Sequence, residues 1–361
     1  MILATFPAGA RPHRADAGGG PREISQNGGM PTQPRPSVLV FATGGTIGMH
    51  ETGRGLAPDP EFPAALETVV AGICARAGVD FRINHLTPPI DSANADAETA
   101  PRIARAVRAR VNTHRPRGVG ITHGTDTLAF TAARLAFELA DIGAPVVLTG
   151  SQLPLGTAGS DAPGNLALAI GAAVRAKQGA PASIAFGGSL VPAVRATKFQ
   201  TDDPAAFRAE RGLGPNPIGM VDRDAPGGDP LTAPARIVTF RFVPGVTADD
   251  LRAAVGARPD GIVLECYGSG NAPTARPGML EALREASSQL PIVAVTQCAT
   301  GGIDLGRYAV GRELESTGVI DGGDMTLEAA LAKLAFAVDR GARGPALRGL
   351  MQANLVGERG C

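Results

Sequence analysis

The sequence predicts an α/β protein built from two doubly wound parallel sheets, a larger N-terminal domain and a smaller C-terminal one. Three observations predict it. Short apolar runs, too brief for helices, alternate with longer segments whose apolar residues recur at helical spacing. The alternation breaks between Leu213 and Pro234, where Gly, Pro and Asp dominate, and then resumes on a smaller scale. The apolar runs also tend to end in clusters of Gly, Ser, Thr and Asp. Strand–helix alternation favours parallel strands joined by right-handed crossovers, and such sheets bind ligands outside the carboxyl ends of their strands. The expected organisation is a disordered extension over 1–36, an N-terminal α/β domain over 37–212, a linker over 213–234 and a C-terminal α/β domain over 235–361.

The first strand is read at Val38–Ala42 and stops at Thr43-Gly-Gly-Thr46. Paired glycines permit a turn that side chains would block and let backbone N–H groups approach a ligand. Met49–Pro60, with Gly53, Gly55 and two prolines, reads as a mobile loop. Phe62, Leu66, Val69, Val70 and Ile73 then mark a helix. Strand two, Phe81–Leu86, leads to Asp91-Ser92, and Ile103, Val107 and Val111 mark the next helix. Strand three, Gly118–Thr122, ends at His123-Gly-Thr-Asp-Thr127, followed by a helix carrying Leu128, Leu135 and Leu139. Strand four, Pro145–Thr149, ends at Gly150-Ser151-Gln152, and a helix opens near Ser160-Asp161. Strand five, Ser183–Phe186, precedes Arg195-Ala-Thr-Lys198. The second domain has strands at Ala235–Phe242, Gly261–Tyr267 and Pro291–Cys298, and helices near 249–255, 279–287, 308–316 and 325–338.

Acidic and basic residues balance at 34 each, which gives no electrostatic reason to expect a nucleic-acid or membrane partner. Lysine is scarce: only Lys177, Lys198 and Lys333 occur among the 34 basic residues, so a lysine beside a motif is informative. Cys74, Cys266, Cys298 and Cys361 are scattered, without C-x-x-C spacing, and neither a disulfide framework nor a metal site is expected. Cys266 and Cys298 lie in apolar runs and read as buried thiols. Residues 1–36 lack the sustained apolar segment of a secretory signal, and Met30 could be the true start. A cytoplasmic protein without cofactor is expected.

The polar clusters suggest one chemistry. Thr46 is a candidate nucleophile, but a free hydroxyl needs a base. Lys198 can serve as an amine if its charge is partly desolvated, whereas arginine cannot deprotonate. The better arrangement sets Thr125 with Lys198 and Asp126, where the amine can accept a proton and Asp126 can hold the lysine or pair with a substrate ammonium. Backbone N–H groups near Gly44-Gly45 and Thr125 suit a developing oxyanion. Each residue also has a plainer reading. Thr46 could be a turn residue, Thr125 and Asp126 helix N-caps, and Lys198 a solvated charge. Ser92 could partner Asp91 in a turn, and His123 could simply shape its turn.

Ala42-Thr-Gly-Gly-Thr-Ile47 together with Thr122-His-Gly-Thr-Asp-Thr127 resembles the paired signatures of bacterial L-asparaginases. Thr149-Gly-Ser-Gln-Leu-Pro154, Gly268-Ser-Gly-Asn-Ala-Pro273, Thr296-Gln-Cys298 and Gly318–Thr326 resemble the cytoplasmic, type I branch. The resemblance runs from about Val38 through the C-terminal domain. It implies hydrolysis of L-asparagine to L-aspartate and ammonia through an acyl-enzyme, with glutamine a poorer substrate. On the matching positions, Thr46 is the nucleophile, and Thr125, Asp126 and Lys198 are the relay. Ser92 meets the substrate α-carboxylate and Asp126 its α-ammonium, with Gly45, Asp91 and Gly124 beside them. Ser151 follows the strand that places a carbonyl near the leaving amide. The resemblance also implies a homo-oligomer, a dimer of intimate dimers, whose sites are completed by a neighbouring C-terminal domain; Asn271 is the candidate for that contribution.

Two positions depart from the family pattern. Leu56 stands where the family's loop carries a tyrosine that helps activate the nucleophile, so weaker or altered activity is expected. Glu265 stands where allosteric type I enzymes carry an arginine for an effector carboxylate, so hyperbolic kinetics are expected. Other readings are an amidase component of a tRNA-dependent amidotransferase, a non-catalytic amino-acid-binding homologue and a phosphate-cradling protein. The first expects a basic patch or RNA-binding domain, and the last a phosphate-loop motif after a strand, neither of which is seen.

Overall fold

The computed structural model describes residues 35–214 and 232–360, so the expected extension and linker fall largely outside the described residues. The chain runs β1 (Ser37–Gly44), β2 (Met49–Thr52), β3 (Gly55–Pro58), α1 (Phe62–Ala77), β4 (Asp80–Ile90), α2 (Thr99–His114) and β5 (Gly118–Thr122). Then come α3 (Leu128–Glu138), β6 (Val146–Thr149), α4 (Ala162–Arg175), β7 (Ser183–Phe186), β8 (Ser189–Pro192), β9 (Ala196–Lys198) and β10 (Phe207–Ala209). The second half contains β11 (Ile237–Arg241), α5 (Ala248–Gly256), β12 (Gly261–Cys266), α6 (Met279–Gln289) and β13 (Ile292–Thr296). It closes with α7 (Ala309–Ser316), β14 (Ile320–Asp321), α8 (Leu327–Asp339) and α9 (Gly344–Gln352).

The large sheet has the order β4-β1-β5-β6-β7-β8. Its first five strands are parallel, as expected, while β8 turns back antiparallel on β7. The reversal follows from Gly187-Gly188, both at positive φ (55° and 79°), the backbone a two-residue I′ hairpin requires. Alternate β1 residues serve opposite faces: Val38, Val40 and Ala42 pack under α1 and α4, whereas Leu39 and Phe41 pack under α2 and α3. Helices on both faces make the sheet doubly wound. The small sheet, β11-β12-β13-β14, is wholly parallel. Helices α5 and α6 cover one face and α8 the other.

Residues 49–58, expected as a loop, fold instead into the β2–β3 hairpin, with Leu56 opposite Glu51. Glycines and prolines obscured two four-residue strands that pair only with each other. Cys266 is buried, and desolvation pushes its thiol up to about 12. Cys298 is exposed, contrary to expectation, because β13 ends at Thr296 and the chain has left the sheet. No helix among the described residues is long and apolar enough to cross a membrane.

The two sheets share a core through α3 and α8. Phe137 and Phe336 meet with ring centroids 5.6 Å apart. Arg134 on α3 pairs with Glu138 one turn on at 2.7 Å and with Asp339 on α8. Burial alone would raise the Glu138 carboxyl, but Arg134 and Arg340 outweigh it and hold it below the usual carboxylate range. A second buried pair closes the C-terminus: Lys333 on α8 contacts Glu358 at 2.6 Å, both side chains wholly inaccessible. Desolvation lowers Lys333 to about 8 even with Glu358 opposing it. Glu358→Ala leaves that ammonium without its counter-charge and is expected to cost about 3 kcal/mol. Urea unfolding at neutral pH checks this, and Lys333→Met/Glu358→Leu should lose less than Glu358→Ala alone.

Candidate active site

The parallel part of the large sheet has the order 2-1-3-4-5 when its strands are counted along the chain. The direction of winding therefore reverses beside β1, and the β1/β5 boundary is the topological switch point where such sheets open a crevice. Four neighbouring strands deliver their exits there: Ser92 after β4, Thr46 after β1, Thr125 and Asp126 after β5, and Ser151 after β6.

Close backbone approach explains the glycines at these exits. Gly45 has φ +89°, and a Cβ there would overlap the Gly124 backbone. A Cβ on Gly124 would in turn overlap Ser92 Oγ. The three exits are thus packed directly on one another, with Ser92 buried and Thr46 half-buried. The Thr127 hydroxyl donates to the Ser92 carbonyl at 2.9 Å, tying the β4 exit to the start of α3.

Thr125 and Asp126 do not cap α3, which has no side-chain N-cap bond. Instead, Lys198 Nζ donates to Thr125 Oγ1 at 2.9 Å and to Asp126 Oδ1 at 3.0 Å. The lysine side chain is 22% exposed and the aspartate 60%, so Asp126 retains an open face towards a ligand. Lys198 reaches the crevice by a less direct route than expected. It sits on β9, paired antiparallel with β10, after the chain has turned back through β8.

His123 is fully buried and both ring nitrogens are engaged. The Gly124 carbonyl lies 2.8 Å from Nδ1 and can only accept, so Nδ1 carries the proton and Nε2 accepts from the Thr131 hydroxyl at 3.2 Å. Desolvation lowers the ring's pKa, and it shapes the turn as a neutral group. Asp91 accepts from Ala93 N at 3.2 Å and Asn94 Nδ2 at 2.7 Å, so its carboxylate caps the turn that carries the buried Ser92. Ser151 is buried and donates to the Leu153 carbonyl at 2.6 Å. Asp161 was expected only as a helix start. It accepts from the Gln152 and Leu153 amides and from Asn165 Nδ2, bracing the Ser151 loop. Asn271 lies in the other sheet's loop, exposed, bonded through its backbone to Tyr267. Among the described residues it has no hydrogen bond to the Thr125 cluster.

Residues 37–224 match the family described as Asparaginase, N-terminal, and residues 236–351 the Glutaminase/Asparaginase C-terminal domain. The chain belongs to the asparaginase family. Among asparaginase relatives, the L-asparaginase of Thermococcus kodakarensis is 36% identical over 338 residues, spanning 89% of this chain and 98% of that protein. L-asparaginase 1 of Escherichia coli K12 is 33% identical, over 90% and 98% respectively. The crystal structure of L-asparaginase I from Vibrio cholerae superposes with a TM-score of 0.77 at 31% identity, covering 91% of this chain and all of that one. The two-domain α/β asparaginase fold expected from the sequence is therefore the fold found.

Proposed function

We propose that this protein is an L-asparaginase, hydrolysing L-asparagine to L-aspartate and ammonia, with minor activity on glutamine. The observation that carries the reading is Lys198 Nζ, shared between Thr125 and Asp126 beside the switch point. The asparaginase relatives supply the substrate class, and nearly their whole length is present here.

In the proposed mechanism, Thr46 Oγ attacks the side-chain amide carbon of asparagine. Its proton passes through Thr125 and Lys198 to the amide nitrogen, and the carbon–nitrogen bond breaks to release ammonia. Water then attacks the threonyl ester, and aspartate leaves as Thr46 regains its proton. The backbone N–H of Thr125 stabilises the oxyanion; that of Gly45, expected to share this task, instead donates to the Ile90 carbonyl at 3.1 Å. Ser92 binds the α-carboxylate, Asp126 the α-ammonium, and the Ser151 loop frames the leaving amide. Domain limits of 37–212 and 235–361, a cytoplasmic location and a dimer of intimate dimers belong to the same reading; exposed Asn271 then completes a neighbouring site. A coupled ammonia assay with asparagine and glutamine tests the proposal. Ammonia from neither amide would overturn it in favour of an amino-acid-binding homologue.

Two departures from the family pattern yield predictions. Leu56 on β3 is 48% exposed and has no hydroxyl to offer Thr46. Leu56→Tyr is expected to raise kcat/KM on asparagine about tenfold by restoring a proton-transfer group; an unchanged or lower value would count against this. At the end of β12, Glu265 is buried near Arg241, at 3.8 Å. Its charge repels an effector carboxylate, so initial rates should follow a hyperbola in asparagine; a sigmoidal curve would contradict the assignment.

A further inference from the structure

We infer that Glu328, on α8 of the C-terminal half, is a positioning residue for Lys198; the inference rests on the proposed relay. The segment 195–198 is held by alternate residues. Arg195 is completely buried and donates to the Asp324 carbonyl at 2.8 Å and the Gly357 carbonyl at 3.1 Å. Thr197 Oγ1 donates to Glu328 Oε1 at 2.9 Å. The intervening side chains take the other side: Ala196 is buried in the core shared with α3, and Lys198 reaches Thr125 and Asp126. Along β9 (Ala196–Lys198) this is the two-residue alternation of an extended strand, with Thr197 on one face anchored to the first turn of α8 and Lys198 on the other delivering the amine, while Arg195 fixes the 3-10 turn just before it.

The anchor is a buried acceptor. Glu328 is 7% exposed, and desolvation raises its carboxyl pKa; its own amide, Thr197 and Thr326 oppose the rise. A buried acceptor with such partners has little freedom, so the Thr197 hydroxyl has one place to go. β9 is only three residues long and pairs with a three-residue β10. Two such short strands do not fix a side chain by themselves. The bond to α8 supplies the missing restraint, and it couples the lysine to the second domain although no residue of that domain need touch substrate.

The test combines steady-state kinetics with chemical labelling of the full chain. Thr197→Val and Glu328→Leu are each expected to lower kcat on asparagine about tenfold while KM stays within about twofold, since binding survives and amine placement does not. Glu328→Gln keeps an acceptor oxygen and should stay within about threefold of wild type, and Thr197→Val/Glu328→Leu should be no worse than Glu328→Leu alone. Independently of activity, an acylating reagent read by mass spectrometry should modify Lys198 several-fold faster in Thr197→Val and Glu328→Leu, with exposed Lys177 as internal standard. Losses that multiply in the double variant, Glu328→Gln as impaired as Glu328→Leu, or unchanged Lys198 labelling would each overturn the inference. Should Glu328→Leu not fold, Thr197→Val decides by the same two measurements. A wild-type protein inactive on asparagine would overturn the proposed function, while the labelling result would still judge the anchor.

Discussion

Lys198→Met is expected to lower kcat on asparagine by about 10³–10⁴-fold, the scale of a lost general base. The amine is the group that links Thr125 and Asp126, at 2.9 and 3.0 Å, and methionine keeps the length of the side chain without a proton acceptor. Stability should barely change. The Lys198–Asp126 pair is partly solvated, with the carboxylate 60% exposed, and such pairs contribute about 1 kcal/mol or less. Lys198→Arg separates charge from basicity: it retains the cation near Asp126 but cannot deprotonate, so it should be nearly as impaired as Lys198→Met. Activity of either variant within about tenfold of wild type would remove the lysine from the proton path.

Thr46→Ala is the other large effect, with kcat/KM on asparagine expected to fall by about 10⁴-fold or more, because loss of a nucleophile disables the whole relay. The backbone around it should persist, since Gly45 and Gly124 hold the exits together without the Thr46 side chain. Binding should persist as well, so aspartate should still raise the melting temperature of Thr46→Ala. Acid-quenched turnover followed by mass spectrometry should reveal an adduct on Thr46 in wild type and none in the variant. An alanine variant retaining a hundredth of the wild-type rate would assign the attack to another group. Lys198→Met should, by contrast, still bind and slow the formation of that adduct.

Much of this arrangement was legible because buried parallel strands announce themselves as short apolar runs: Val38–Ala42 and Gly118–Thr122 could be read directly, and the run read at Pro291–Cys298 contains the strand Ile292–Thr296. Their polar exits mark the ligand side whatever the family. What escaped notice is edge structure and distant contact. The β2–β3 hairpin, β8 and β10 are three or four residues each, too short for a period to show, and β14 is shorter still. The I′ turn at Gly187-Gly188 was a readable signal for the reversal before Lys198. The Thr197–Glu328 bond spans 131 positions along the chain, and no local pattern marks it. Similarly, Asp161 reads as an ordinary helix start, and nothing local marks the loop it braces, whose Gln152 amide lies 9 positions upstream. Cys298 shows the opposite failure, an apolar neighbourhood in the sequence that the strand leaves before reaching it.

The shared packing of α3 on α8 has a practical corollary for protein engineering. A polypeptide ending at residue 214 would hold Thr46, Thr125 and Lys198 yet present the Phe137 flank bare to water, and it would lack both α8 and its grip on Thr197. Expressed apart, the two pieces should each be insoluble; coexpressed, they should recombine. Ammonia release from asparagine should then appear only in the coexpressed sample.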